Sequence, residues 1–126
     1  MSEPITAQGE HCKVIYNVDQ IASEQLTDWG DQPDCTAGQS KSRGILLYKG
    51  PDNKPESGFW ECTPGTWTLS IPRDELCHFI QGEATYTSND GEVIEVRAGT
   101  CIHFNAGWTG SCVVKKTIRN LYMLTA

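Results

Sequence analysis

The chain has 126 residues, a formal net charge of -6 and a mean hydropathy of -0.41. Hydrophobic residues at 38% and charged residues at 21% are typical of one globular domain that buries a core without disulfides. The acidic balance argues against nucleic acid and anionic membranes as partners, because both need a basic face on the protein.

The location and redox state follow from two simple patterns. No apolar stretch approaches membrane-spanning length, and residues 1–10 lack the basic and apolar regions of a secretory signal. We therefore expect a cytoplasmic protein. The six cysteines are spread along the chain without a Cys-x-x-Cys pair, which fits neither a zinc knuckle nor a small disulfide scaffold. This spacing predicts reduced, mostly buried thiols.

The first third of the chain is polar and only weakly periodic. It predicts a short strand over residues 14–18, a helical turn over 22–26 and a turn over 28–34. A strand over residues 45–48 follows. Residues 50–58 predict a loop, because two prolines and two glycines disfavour a strand interior.

From residue 59 onward the pattern is that of β structure. Trp67, Leu69 and Ile71 alternate with threonine and serine, which is the period of a strand. Asp90-Gly91 predicts a hairpin turn, since glycine accepts positive φ. Further short strands are predicted over residues 75–80, 84–87, 93–96, 101–104, 113–118 and 121–124. Short strands with glycine-rich corners predict a single all-β barrel or sandwich.

Four stretches in this order resemble a known family: SGFWECTPGTWTL, DELCHFIQGEATYTSNDGE, RAGTCIHFNAGWTG and IRNLYML. They are similar to a small single-domain cupin, and more narrowly to the (S)-ureidoglycine aminohydrolase-like cupin group. The resemblance implies a double-stranded β-helix, the RmlC-like jelly roll, and a homodimer. Residues 44–126 are then the cupin barrel, and residues 1–43 are an amino-terminal extension within the same domain.

The metal motif of that family is degenerate in this chain. Cupins usually hold one divalent metal with three histidines and one glutamate. Glu75, separated from Gly82 by six residues, fits the glutamate position. With a four-residue spacer the His-x-His pair falls on Thr68 and Ser70, and the remaining histidine falls on Gly110. Hydroxyls are poor ligands for transition metals and glycine has no side chain, so no bound metal or other cofactor is expected. The alternative is a divalent metal held by Glu75 and Cys77 together with a remote ligand.

Strand alternation separates the acid, cysteine and histidine residues of the stretch Glu75-Leu76-Cys77-His78. Glu75, Cys77 and Phe79 share one face of their strand, and His78 lies on the other face. On a later strand Phe104 shares the inner face with Ile102, which places His103 outside. The alternation predicts that neither histidine joins Glu75.

The same alternation leaves two interpretations of residues 66–71. The apolar pattern places Trp67, Leu69 and Ile71 in the core. The motif instead places Thr68 and Ser70 in the cavity and leaves the apolar face to be covered by a second subunit or the amino-terminal segment. We favour the motif interpretation, which makes a homodimer the expected assembly.

Three function classes remain. The first is a metal-free cupin that binds a small polar molecule in a cavity lined by Thr68, Ser70, Glu75, Cys77, Phe79 and Phe104. The second is a metal-dependent or metal-free aminohydrolase acting on a ureido compound, as in purine (allantoin) breakdown; without a metal, Glu75 would be the catalytic general base. The third is a structural or regulatory partner protein.

Two details weigh on these classes. Glu75 is equally consistent with a buried carboxylate that merely accepts hydrogen bonds from Thr68 or Ser70. The family's terminal basic pair keeps Arg119, but Asn120 replaces its lysine. If that lysine serves the family's site, its loss weakens the enzymatic interpretation.

Overall fold

The computed structural model describes residues 6–8, 12–51 and 55–125. Two 3-10 turns, Val18–Gln20 and Ser23–Gln25, are the only helical segments in these ranges. The strands are β1 (Thr6–Gln8), β2 (Lys13–Ile15), β3 (Thr27–Asp31), β4 (Cys35–Ala37), β5 (Lys41–Lys49), β6 (Glu56–Cys62), β7 (Gly65–Ser70), β8 (Glu75–Ser88), β9 (Val93–Arg97), β10 (Cys101–Phe104) and β11 (Thr109–Leu124). The predicted all-β class is confirmed.

Two long strands, β8 and β11, tie the barrel together. They pair with each other along most of their length. The sheet contains a row of hydrogen-bonded neighbouring strands in the order β10, β8, β11, β6, β5 and β3. Neighbouring strands in this row are antiparallel. At the other end β7 pairs with β11 and β4, and β9 pairs with β8. Because β8 and β11 belong to both halves, the sheet folds over on itself and encloses one core.

Tyr86 lies at the centre of that core. Its ring contacts Trp67 at 6.3 Å, Phe79 at 6.2 Å, Phe104 at 5.3 Å and Trp108 at 6.2 Å between ring centroids. The hydroxyl of Tyr86 contacts the Cys112 thiol. Burial raises the pKa of Tyr86 well above the ordinary value for tyrosine. Aromatic packing of this kind accounts for much of the apolar surface that a small barrel buries.

Two pairs of predicted short strands are each one continuous strand. The predicted segments 75–80 and 84–87 are both parts of β8, and 113–118 and 121–124 are both parts of β11. Gly82 has a φ of 95° and lies within β8 where its pairing with β11 shifts register. A Cβ there would overlap the carbonyl oxygen of Thr117. Glycine therefore allows the two paired strands to approach each other closely without ending either of them.

Two predicted loop segments contain strand residues. β3 (Thr27–Asp31) overlaps the first part of the predicted turn over 28–34, and only Pro33 and Asp34 form a turn there. The predicted loop over 50–58 ends earlier, because β6 starts at Glu56. Residues 52–54 of that loop lie outside the described residues. The predicted hairpin at Asp90-Gly91 is confirmed, with Gly91 at a φ of 96°.

The favoured register of β7 is wrong. Trp67 is 2% exposed and Ile71 is 7% exposed, and both belong to the core, whereas Thr68 is exposed on the outer face. A shift of one residue reverses every side chain of a strand, and burying an indole removes far more apolar surface from water than burying a threonine. The homodimer thus loses the exposed apolar face from which it was inferred, and it stays a prediction.

The amino-terminal segment covers a different part of the barrel. Ile21 and Leu26 pack with Phe59 in a second apolar cluster on the outer face of the sheet. Arg119 anchors this segment by donating hydrogen bonds to the carbonyl oxygen of Ile21 and to Ser23 Oγ. β3 and β4 pair with β5 and β7, and the predicted boundary between residues 43 and 44 lies inside β5.

The described cysteines are unpaired, as expected from their spacing. Cys62, Cys77 and Cys112 are buried, Cys35 is half-buried, and Cys12 and Cys101 are exposed. In the described part of the chain, no helix has the length and apolar character needed to cross a bilayer.

Candidate functional site: a cavity at the barrel mouth

A cavity of about 350 Å³ opens into the barrel between β3, β6, β7, β8 and β11. Most of its wall is apolar or aromatic, with a few polar side chains. Its lining residues are Trp29, Gln32, Trp60, Trp67, Leu69, Ser70, Ile71, Pro72, Arg73, Glu75, Cys77, Tyr86, Phe104, Asn120, Tyr122 and Leu124. Its volume falls at the lower end of the ~300–1,000 Å³ typical of small-molecule sites.

The pairing of β8 with β11 positions the polar side chains of one wall. In register, Glu75 lies opposite Leu124, Cys77 opposite Tyr122, and Phe79 opposite Asn120. Residues at alternate positions of paired strands share a face, so the wall is built from every second residue of each strand. Trp60 of β6 continues the wall beside Asn120.

Glu75 is a half-buried carboxylate on this wall. Its Oε2 accepts a hydrogen bond from Cys77 Sγ at 3.1 Å. Burial raises the pKa of Glu75 above the ordinary carboxyl value, the Cys77 hydrogen bond lowers it, and the charge of Glu56 raises it further. No ion pair to Glu75 occurs within the described ranges.

A separate set of charges lies at the rim. Glu56 Oε2 accepts a hydrogen bond from the Tyr122 hydroxyl at 3.1 Å, and Glu56 Oε1 lies 3.7 Å from Arg73 Nη2. Arg73 also donates to the carbonyl oxygen of Thr125 at 3.2 Å. The guanidinium of Arg73 is thus held by Glu56 and the carboxyl-terminal backbone, although its charge still lowers the pKa of Glu75.

Asn120 has an unsatisfied polar atom in the cavity wall. The residue is 2% exposed, and Oδ1 has no hydrogen-bond partner among the described residues. Among the residues that the structure describes, Trp67 Nε1 and Ser40 Oγ also have no nitrogen or oxygen partner, but both contact the Cys62 thiol. A buried amide oxygen without a donor is rare in folded proteins, and it marks a place where a bound molecule or water completes the site.

The structure brings some of the predicted residues together. Glu75, Cys77 and Phe104 line the cavity, and Ser70 lies at its exposed edge. Phe79 is completely buried and packs against Tyr86 beneath the cavity.

Thr68 lies on the outer face, away from the cavity. The donor to Glu75 is Cys77, not Thr68 or Ser70 as considered above. His78 and His103 are exposed on the outer face of β8 and β10, as strand alternation predicts.

The observed register changes which residues occupy the family's ligand positions. With Trp67 inward, the motif takes a three-residue spacer before Glu75, and the His-x-His positions fall on Leu69 and Ile71. Gly110 remains at the third position, buried against the backbone of β8. Aliphatic side chains donate no electron pair to a metal. Within the described ranges no three His, Cys, Asp or Glu side chains are grouped so that they could hold a metal ion.

Several cavity residues were missed from the sequence. Trp29, Trp60, Asn120 and Tyr122 line the cavity but were not predicted to. Strand alternation could have indicated two of them, because Asn120 and Tyr122 share one face of the last strand and alternate with Leu121 and Met123. Trp29 was not predicted, since the sequence indicated a turn over residues 28–34, whereas Trp29 lies on β3 and its ring packs over Gly44 of β5.

The model of the EutQ-like cupin domain matches residues 49–122, which is more than half of the chain. The chain belongs to the EutQ-like cupin family. The double-stranded β-helix, or jelly roll, predicted from the sequence is therefore confirmed. No named relative supports the narrower resemblance to ureidoglycine aminohydrolases. No curated protein sequence matches this chain closely enough to count as a relative.

Solved structures agree on the fold. The EutQ protein of Clostridium difficile has a TM-score of 0.73 at 16% identity, covering 98% of this chain and 95% of its own. A putative ethanolamine utilization protein Q from Salmonella typhimurium has a TM-score of 0.70 at 16% identity, covering 96% and 92%. A DUF861-family protein of unknown function from Pseudomonas syringae pv. tomato has a TM-score of 0.71 at 18% identity, covering 79% of this cupin. This cupin spans only 44% of that protein.

Proposed function

We propose that this cupin is a binding protein for a small organic molecule, held in the barrel cavity without a metal ion. The observation that carries the proposal is the lining of the cavity. Aromatic and aliphatic side chains surround one half-buried carboxylate, Glu75, and the positions of the family's histidines hold Leu69, Ile71 and Gly110. Such a lining favours an apolar ligand body with a few oriented polar groups.

The proposal makes the cavity itself the site, so filling it should abolish binding. Leu69 lines the cavity, whereas Leu76 is 46% exposed on the outer face. Leu69→Phe and Leu76→Phe therefore make the same chemical change at an inner and an outer position. Binding is tested with four probes: tyramine, phenethylamine, 3-(4-hydroxyphenyl)propanoate and p-cresol. It is measured by two-dimensional NMR as a shift of the tryptophan indole signals.

At least one probe is expected to shift the indole signals of the wild type and of Leu76→Phe, and to leave those of Leu69→Phe unchanged. If no probe shifts any indole signal of the wild type, or if Leu69→Phe binds as well as the wild type, the binding proposal is wrong.

A separate measurement tests whether the protein binds a metal ion. Metal content is measured on protein purified without chelator, together with Glu75→Ala. The expectation is no stoichiometric metal in either protein. Manganese, iron, nickel or zinc at one equivalent in the wild type, lost in Glu75→Ala, would show that ligands other than the usual histidines hold a metal.

An aminohydrolase acting on a ureido compound is the alternative, and one observation favours it. The raised pKa of Glu75 suits a general base, which works best when its pKa approaches the working pH. Ammonia release from ureidoglycine that disappears in Glu75→Gln would establish this alternative. Release at the background rate would leave the binding function.

A further inference from the structure

We infer that the cavity takes an amphiphilic amine, with its ammonium group against Glu75, a second hydrogen-bond donor against Asn120, and an apolar or aromatic body between them. This inference rests on the proposed binding function and names the class of molecule that the cavity fits. It follows from the unmatched acceptors on the cavity wall.

The first unmatched acceptor is the carboxylate of Glu75. Its described hydrogen bond comes from the neutral thiol of Cys77, and no ion pair compensates its charge within the described residues. Arg73, the cation lining the cavity, lies within 4 Å of Glu56 and donates to Thr125. An ammonium group would compensate the charge of Glu75 with a charge-assisted hydrogen bond.

The second unmatched acceptor is Asn120 Oδ1. A carbonyl oxygen of an amide only accepts hydrogen bonds, so it needs an N–H or O–H group. The residue is 2% exposed, which separates it from bulk water. Leaving such an atom unpaired is unfavourable by about 1–3 kcal/mol, so a ligand that supplies a donor is favoured there.

The spacing of the two acceptors requires an extended ligand. Asn120 lies opposite Phe79 in the register, four residues along β8 from Glu75. Four residues span ~13 Å of strand, which is too far for one ammonium group to contact both side chains. A molecule with a donor at each end reaches both.

The wall between the two acceptors is suited to the body of such a molecule. Tyr122 lies opposite Cys77, between Leu124 and Asn120 on β11, and Trp60 lies beside Asn120 on β6. Aromatic faces pack against apolar and aromatic groups, and they attract a nearby ammonium through the ring quadrupole. Anionic ligands would meet the charge of Glu75 instead.

Three matched molecules separate these contributions. Tyramine has both the ammonium group and a phenolic donor. Phenethylamine lacks the phenol, and 3-(4-hydroxyphenyl)propanoate replaces the ammonium with a carboxylate. Isothermal titration at pH 7 is expected to give tyramine about 2–10-fold tighter binding than phenethylamine, and at least about tenfold tighter binding than the carboxylate.

Two variants assign each preference to its residue. In Asn120→Leu the preference for tyramine over phenethylamine should disappear, whereas Asn120→Asp, which keeps an acceptor oxygen, should retain it. In Glu75→Gln the preference for the amine over the carboxylate should fall to about threefold or less. If a variant does not fold, the relative affinities of the wild-type protein for the three molecules still test the amine inference.

The outcomes distinguish the inference from the binding function on which it rests. Binding of 3-(4-hydroxyphenyl)propanoate or p-cresol as tight as that of tyramine would overturn the amine inference and leave the binding function in place. Equal binding of phenethylamine and tyramine would overturn the role of Asn120. No binding of any probe, with unchanged indole signals, would overturn both.

Discussion

Arg119 Nη2 lies 2.8 Å from Glu61 Oε2, and the two side chains are 6% and 2% exposed. Ser23 Oγ donates to the same Glu61 oxygen at 2.7 Å, so the ion pair joins β11, β6 and the amino-terminal segment. The pair faces away from the cavity, because Arg119 precedes the inward-facing Asn120 on the same strand. Arg119 is therefore a structural residue in this protein, whereas its neighbour Asn120 lines the candidate site.

Breaking this pair should strongly destabilise the fold. Glu61→Ala leaves the buried charge of Arg119 uncompensated, which lowers the free energy of unfolding by about 3–5 kcal/mol. The matched control is Glu83→Ala, because Glu83 pairs with Lys116 at 3.1 Å with both side chains well exposed. That change should lower the free energy of unfolding by less than about 1 kcal/mol. Urea denaturation measures both, and similar losses would contradict the structural role assigned to Arg119.

Gly82 should be replaceable only at a large loss of stability. Gly82→Ala combines a φ of 95° with an overlap of the new Cβ and the backbone of β11. Gly91→Ala has a φ of 96° but meets no heavy atom within 4 Å, so it isolates the backbone strain of about 1–2 kcal/mol. Urea denaturation should show a clearly larger loss for Gly82→Ala. Equal losses would mean that the backbones of β8 and β11 lie farther apart at this point.

The stability of the protein should depend on pH through Glu75. Burial raises the pKa of this carboxyl in the folded protein, so folding takes up a proton between the unfolded and folded values. The stabilisation is fully present below the unfolded pKa of about 4.3, and it is lost as pH rises through the folded pKa.

Glu75→Gln removes this dependence. Its melting temperature relative to the wild type should therefore rise as pH increases from about 4 to 7. Calorimetry at a series of pH values measures the difference, with the exposed Glu83→Gln as the control. A difference that falls with rising pH would show that ionised Glu75 stabilises the fold.

The six thiols should divide by reactivity into two exposed thiols, three buried thiols and the half-buried thiol of Cys35, which should react at an intermediate rate. Cys12 and Cys101 are exposed, whereas burial raises the pKa of Cys62 and of Cys112 to about 12 and raises that of Cys77 as well. A disulfide reagent reacts with the thiolate, so at pH 8 the two exposed thiols should react first. The three buried thiols should react only after unfolding. Cys101→Ser should remove one fast equivalent, and more than three fast equivalents in the wild type would contradict the described burial.

Much of the architecture follows from local patterns in the chain. Alternating side chains predict strands, Asp90-Gly91 predicts its hairpin, and the ordered motifs predict the jelly roll. Alternation also separates Glu75 and Cys77 from His78, because successive side chains of a strand always point to opposite faces. These features depend on neighbours within a few residues, and so they are readable without the fold.

Only the tertiary structure decided the register of β7 and the make-up of the cavity. The motif allowed a spacer of three or four residues before Glu75, and one residue reverses which side chains face inward. The burial of Trp67 against Tyr86 selects three. Strand alternation indicates the face on which Asn120 lies, but Trp60 lies beside it only because β6 and β11 pair across about 60 residues of chain, and no local pattern reports a contact of that range.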